Sequence, residues 1–469
     1  MRGFYLRENW LQSGDCIWTT LSRRLLAMIS AMKAVSALLC WLGALSLLTS
    51  LARAQQSEVL HPATECTVRN GLPNVIQKWW TGQEVRIGYL GGSITAQNGW
   101  RPKTLAWFNQ QHPNSKSVEI NAAIGGTGSD LGVFRLKQDV LDHNPDLLFV
   151  EFAVNDGGAP TDRILKAMEG IVRQTWKSNP KTDICFVYTL TEGMLGDLDA
   201  GKFPHAASVM EQLADHYGIP SIHFGVEVAR LHREGKLVFS GKATKEQADQ
   251  MAQQGQVLFS PDGVHPYEAT GHELYLQAVK RGFAQIEQAG VAPGPHLVPL
   301  PLRADNWEQA KLVPLGQVRL SDSWSELDPL KNEKSKQYRR YLPGLWKANR
   351  PGANMTIRFK GSSLLVYDLL GPDCGQITVK VDQFPPYVVP RFDAYCTYHR
   401  LGVLPVADSV PYGIHTAVLR ILPQQPDKLK ILHQRRENAD IATLDPKVYD
   451  DTAWYAGAVL VVGEILPNR

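Results

Sequence analysis

Residues 85–95 read VRIGYLGGSIT: a β-rich run, Val85–Leu90, that breaks at once into Gly91-Gly92-Ser93. A continuous apolar run of this length, closed by a turn, is the pattern of a strand buried on both faces of a parallel sheet. Three more runs of the same kind follow at Val118–Ile124, Leu147–Val154 and Ile184–Leu190, with helical periodicity between them around Lys103–Gln111, Arg135–Leu141 and Arg163–Lys177. Strands alternating with helices predict a doubly wound α/β domain. A helix at Ala207–Tyr217, a short strand at Ser221–His223 and a long amphipathic helix at Tyr267–Gln288 complete it.

Outside this block the pattern changes in both directions. Residues 34–51 (AVSALLCWLGALSLLTSL) carry no charge, follow Arg23, Arg24 and Lys33, and precede Ala52-Arg53-Ala54. Basic flank, apolar core and small-x-small exit predict an export signal over residues 1–54, cleaved after Ala54. Met28 or Met32 would open a more compact signal than Met1 does. On the other side, residues 292–301 are proline-rich and read as a linker over residues 293–304. Beyond it the runs Met355–Phe359, Ser363–Asp368, Ile377–Val381, Thr416–Ile421 and Gly457–Val462 are short, strand-like and separated by turns, which predicts an antiparallel β-sandwich over residues 305–469. The α/β domain would then occupy residues 55–292.

Composition narrows the function. The 469 residues carry a formal charge of +3, and removing residues 1–54 leaves 43 Lys+Arg against 44 Asp+Glu. That balance excludes a protein held to nucleic acid through its phosphates. Export implies an oxidising compartment, in which Cys66, Cys185, Cys374 and Cys396 could pair; Cys374 and Cys396 lie close in sequence, but spacing does not fix connectivity.

The chemistry-bearing residues sit where the predicted strands end. Ligands of an open parallel sheet bind at the carboxyl ends of its strands, so Ser93 is presented there. The second run ends in Gly125-Gly126-Thr127-Gly128 and the third in Asn155-Asp156-Gly157-Gly158. A glycine amide and an asparagine side-chain amide are suitable donors to an oxygen that becomes negative during acyl transfer. Each block alone reads as an ordinary turn or helix cap. Asp262-Gly263-Val264-His265, just before the last helix, adds what a serine nucleophile needs: a base, and a carboxylate to hold that base.

Four blocks in this order, Ser93 in GGSIT, Gly126 in IGGTGS, Asn155 in FAVND, and Asp262 with His265 in DGVHP, resemble the SGNH (GDSL-type) hydrolase family over roughly residues 80–290. The first block departs from the family's Gly-Asp-Ser-Leu by having Gly92 before the serine. The resemblance implies a flavodoxin-like sheet and an ester hydrolase that needs no cofactor or metal. It implies Ser93 as nucleophile, His265 as base, Asp262 as its partner, and an oxyanion hole from Ser93, Gly126 and Asn155. Export and the added β domain point to acetylated carbohydrate as substrate and to a secreted or periplasmic location, with no nucleic-acid partner and no membrane after cleavage. Lipase, lysophospholipase or thioesterase activity is the alternative within the family.

Two other classes compete. Gly126-Thr-Gly128 through Gly132 resembles a dinucleotide phosphate turn, with Glu151 to serve a ribose, but it follows the second strand and leaves DGVHP unexplained. A non-catalytic glycan-binding protein would use Trp307, Trp324, Trp346, Tyr387 or Tyr395 to stack on sugars, though aromatics of a sandwich usually belong to its core. Residues 203–206 and the stretch Val226–Phe259 would form the rim or lid of the site.

Overall fold

Why the apolar runs end at glycine is visible in the computed structural model, which describes residues 60–435 and 446–467. The predicted export signal lies outside the described residues. Six strands, β1 (Cys66–Thr67), β2 (Val85–Gly91), β3 (Ser117–Asn121), β4 (Leu147–Glu151), β5 (Asp183–Tyr188) and β6 (Ser221–His223), form a sheet in the order β1-β6-β5-β4-β2-β3. All neighbours are parallel except β1, which runs antiparallel to β6. Every residue of β4 and β5 is buried, as a strand covered by helices on both faces requires. Among the helices of this half are α1 (Pro73–Trp80), α2 (Trp100–Gln111), α3 (Ser129–Asp139), α4 (Thr161–Ser178), α5 (His205–Tyr217) and α6 (Gly271–Gln288). This is the flavodoxin-like winding, and its strand order reverses between the parallel neighbours β2 and β4, where such sheets open a crevice.

The stretch read as a rim or lid is a helix, Gly225–Arg233, followed by a small parallel pair, β7 (Leu237–Ser240) and β8 (Val257–Ser260), with the helix Lys245–Gln253 between them. The predicted runs at residues 118–124, 147–154 and 184–190 overshoot the strands, because their last residues leave the ladder to build the loops of the crevice.

The proline-rich stretch carries no regular structure, yet it is fixed to the α/β domain. His296 Nε2 lies 2.7 Å from the buried Asp183 carboxylate and its ring stacks on Trp176, and the amides of Leu302 and Arg303 donate to Glu169.

Residues 310–465 form the antiparallel β-sandwich: β9 (Ala310–Pro314), β10 (Arg319–Leu320), β11 (Ser325–Glu326), β12 (Trp346–Ala348), β13 (Asn354–Leu370), β14 (Gln376–Val381), β15 (Tyr387–Pro390), β16 (Arg400–Ala407), β17 (Gly413–Ile421) and β18 (Trp454–Ile465). The two expected strands at residues 355–359 and 363–368 are one strand, β13, whose first half pairs with β17 and whose second half pairs with β16. Alternation then divides its side chains between two cores. Leu364 and Val366 enter the core of the sandwich, whereas Leu365, Tyr367 and Leu369 pack in the core shared with α3 and α4. β18 does the same with Val459 and Val461 on one side and Ala458, Leu460 and Val462 on the other. Trp307 closes this seam against Phe134, and Gly170 on α4 makes room for it: a Cβ there would stand 2.7 Å from the Trp307 carbonyl oxygen.

Cys374 and Cys396, expected as a possible pair, are separate buried thiols. Cys374 Sγ points to the Leu369 carbonyl, and Cys396 Sγ accepts from the Asp393 amide at 3.3 Å. Of the aromatics weighed for sugar stacking, Trp307 and Trp324 are core residues, while Tyr387 and Tyr395 are exposed.

Candidate active site

Strand β2 delivers Ser93 to the crevice as the first residue of a single helical turn, Ser93–Ala96. Its two preceding glycines are each demanded by a neighbour. A Cβ on Gly91 would meet the Glu151 carbonyl oxygen at 2.9 Å, and one on Gly92 would fall 1.9 Å from Asn155 Oδ1. The Asn155 side chain therefore lies directly on the backbone that carries the serine. Gly125 follows the second run on the other side, where a Cβ would sit 3.5 Å from Ser93 Cβ. Gly126, the next residue, adopts φ +73°, a left-handed conformation that glycine takes without strain, and it is exposed.

The base comes from the loop after β8. His265 Nε2 lies 2.8 Å from Ser93 Oγ, and His265 Nδ1 lies 2.8 Å from Asp262 Oδ2. The other carboxylate oxygen of Asp262 accepts from the amides of Val264 (3.0 Å) and His265 (2.8 Å). Gly263 turns the chain between them at φ +79°. Partial desolvation pushes the Asp262 carboxyl up, but those two amides, the imidazole and the Ser260 hydroxyl outweigh it and hold the group well below the usual carboxylate range. The structure thus brings Ser93, His265 and Asp262 into one hydrogen-bonded chain, with Asn155 against Gly92 and Gly125, the neighbour of Gly126, beside Ser93.

Three supporting residues escaped the sequence reading. Ser260 is fully buried; its Oγ accepts from the amides of Asp262 and Gly263 and reaches the His265 carbonyl at 2.9 Å, so it closes the base loop. Its signal was the Ser-Pro-Asp-Gly turn sequence. Glu151, the ribose candidate of the dinucleotide reading, is sealed beneath the Ser93 turn, where it accepts from Thr95 Oγ1 (2.8 Å) and Thr189 Oγ1 (2.6 Å). Burial raises its pKa, and the two hydroxyls and the Gly92 amide oppose that shift. Asp156, next to Asn155, is the third.

Among the described residues, Asp373, Cys374 and His399 cluster closely enough to hold a metal ion. The donor set does not fit one. Asp373 is already engaged by His399 (2.6 Å) and Tyr455 (2.7 Å), the Lys334 ammonium stands 3.5 Å away, and burial keeps the Cys374 thiol well above its ordinary pKa and so protonated.

Residues 89–274 match the model of the GDSL-like lipase/acylhydrolase family. Among solved structures, a two-domain esterase (CEX) active on acetylated mannans, co-crystallised with mannopentaose, superposes with a TM-score of 0.63 at 17% identity over 86% of this chain and 100% of that one. A second structure of a two-domain esterase (CEX) active on acetylated mannans gives 0.63 at 18% identity over 84% and 98%. At such identity the likeness is one of fold, and it extends through both domains. No curated protein matches the chain. Residues 89–274 are thus a GDSL-like lipase/acylhydrolase domain, set in an α/β half with the SGNH hydrolase fold.

Proposed function

We propose that the protein is an exported O-acetyl esterase acting on carbohydrate, with Ser93 as nucleophile. The observation that carries the mechanism is the chain Asp262–His265–Ser93, with 2.8 Å at each link. Ser93 Oγ attacks the ester carbonyl carbon as its proton passes to His265 Nε2, and Asp262 holds the imidazole by Nδ1 and stabilises its charged form. The carbonyl oxygen becomes an oxyanion facing the amides of Ser93 and Gly126 and the Asn155 side chain. His265 gives the proton to the leaving alcohol, then takes one from the water that attacks the acyl-enzyme, and passes it to Ser93 Oγ as the bond to the acyl carbon breaks and the acid leaves.

Acetylated carbohydrate is supported by the two-domain likeness to an esterase active on acetylated mannans and by the leader read at residues 1–54, which would direct the protein out of the cytoplasm. Ser93→Ala should lower kcat for p-nitrophenyl acetate and for acetate release from acetylated mannan by about 10³-fold or more while the melting temperature is kept. A folded Ser93→Ala protein with wild-type turnover would refute the mechanism. Faster cleavage of long-chain esters than of acetylated mannan would refute the substrate.

A further inference from the structure

Helix α3 begins at the end of the glycine loop, and its own cap position is Gly128, which has no side chain to satisfy the first amides of the helix. The missing acceptor comes from another strand end. Asp156 Oδ1 accepts the Ser129 amide at 3.0 Å, from a residue that is 3% exposed. The fit is close: a Cβ on Gly128 would stand 2.3 Å from that same oxygen. Asp156 is itself fixed, its amide donating to Phe152 and its carbonyl accepting from Ala159, both at 2.8 Å. On the loop side, Thr127 Oγ1 donates to the Ile124 carbonyl at 2.8 Å and closes the turn that contains Gly125 and Gly126.

These contacts matter because the two flanking donors belong to different loops. Gly126 follows β3, and Asn155 follows β4. Burial, with smaller contributions from Asp130 and Glu151 and against the hydrogen bonds from Ser129, pushes the Asp156 pKa up to about 7, and its Oδ2 is buried with no hydrogen-bond partner. A carboxylate kept in so unfavourable a place, one residue from Asn155 and bonded to the first residue of α3, has a geometric task. We propose that Asp156 is a positioning residue of the oxyanion hole: through the Ser129 amide it holds the Gly126 loop at a set distance from Asn155, so that both donors converge on the oxygen of the tetrahedral intermediate. The inference rests on Ser93 being the nucleophile of an ester hydrolase.

An effect of this kind belongs to the transition state, so it appears in kcat rather than KM. The test uses the full-length protein with p-nitrophenyl acetate as substrate and a small alkyl boronic acid, which forms a tetrahedral adduct on the serine, as inhibitor. Asp156→Ala should lower kcat about 10- to 100-fold, weaken the boronic acid by a similar factor and leave KM within about twofold. Ser129→Pro removes the donor instead of the acceptor, at the first helical position, where proline is tolerated and Gly128 is already extended; it should reproduce the loss. Asp156→Asn keeps an acceptor oxygen and should recover kcat to within about threefold of wild type. The proposal is overturned if Ser129→Pro retains kcat within about twofold, or if Asp156→Asn loses as much as Asp156→Ala. Should Asp156→Ala fail to fold, Ser129→Pro and Asp156→Asn decide alone. Failure of the nucleophile reading looks different: Ser93→Ala would then keep its turnover and its boronate affinity.

Discussion

Gly92 and Gly128 are glycines for a common reason: the volume that a side chain would take is filled by the polar side chain of a neighbouring loop, Asn155 in one case and Asp156 in the other. Neither needs a left-handed backbone, since both are extended or nearly so. Gly92→Ala should therefore displace the Asn155 amide and lower kcat about 10²-fold, with KM and far-ultraviolet circular dichroism little changed; steady-state kinetics and spectra on the same sample check this. The position that departs from the family's first block is thus under a steric demand of its own. At this scale Ser93, Gly126, Asn155, Asp262 and His265 were legible because each stands in a short turn whose residue types suit its chemistry. Ser260, Glu151 and Asp156 were not, because a buried polar residue is recognised by its partners. Those of Glu151, Thr95 and Thr189, lie 56 and 38 residues away along the chain.

Helices α2 and α6 are joined by one histidine. His272 Nδ1 accepts from the Trp100 amide at 3.1 Å, its Nε2 faces Gln97 Oε1 at 3.0 Å, and its ring lies against Gly99 so closely that a Cβ there would be 2.3 Å from it. Desolvation, with help from the charges of Lys103 and His265, pushes its pKa down to about 4. The folded state therefore holds His272 neutral where the unfolded chain would protonate it. Below about pH 6.5 the unfolded state binds the extra proton, so stability falls as pH drops toward 4, by on the order of 1–3 kcal/mol from this group. His223, buried and pushed down to about 3, adds a loss of the same sign. Melting curves at pH 7 and pH 4.5 should show the decline, and His272→Gln should reduce the pH slope even if it lowers the melting temperature at both values. The strands β2 to β6 and the long helices were legible as elements from their apolar periodicity. Their ends were not, because the same apolar residues run on into the crevice loops.

The molecule as a whole has two domains by topology but a continuous interior between them. Phe134 and Ile171 of the α/β half share a core with Tyr367, Leu460 and Trp307, so neither half can be removed without baring an apolar face. Calorimetry should record one cooperative unfolding transition for residues 60–469, and Trp307→Ala should destabilise that whole transition by about 3–5 kcal/mol. Two separated transitions would contradict the shared core. The linker reading from composition missed this seam, since proline-rich sequence says nothing of what it lies on. A clue was present in Leu364 to Leu370, which is apolar on both faces apart from Asp368, and a strand of that kind is covered on both sides.

The alternation of β13 and β18 also governs how such a chain can change its length. Sandwich-facing residues are odd-numbered at Met355, Ile357 and Phe359 but even-numbered at Leu364 and Val366, and the parity switches at the bulge between Gly361 and Ser363. In β18 it switches at Gly457, between Ala456 and Val459. A one-residue insertion elsewhere in either strand would send every later side chain into the opposite core. Drift in these strands is consequently confined to steps of two residues, or to single steps absorbed at once by a glycine bulge, and relatives of this chain should differ there by those steps alone.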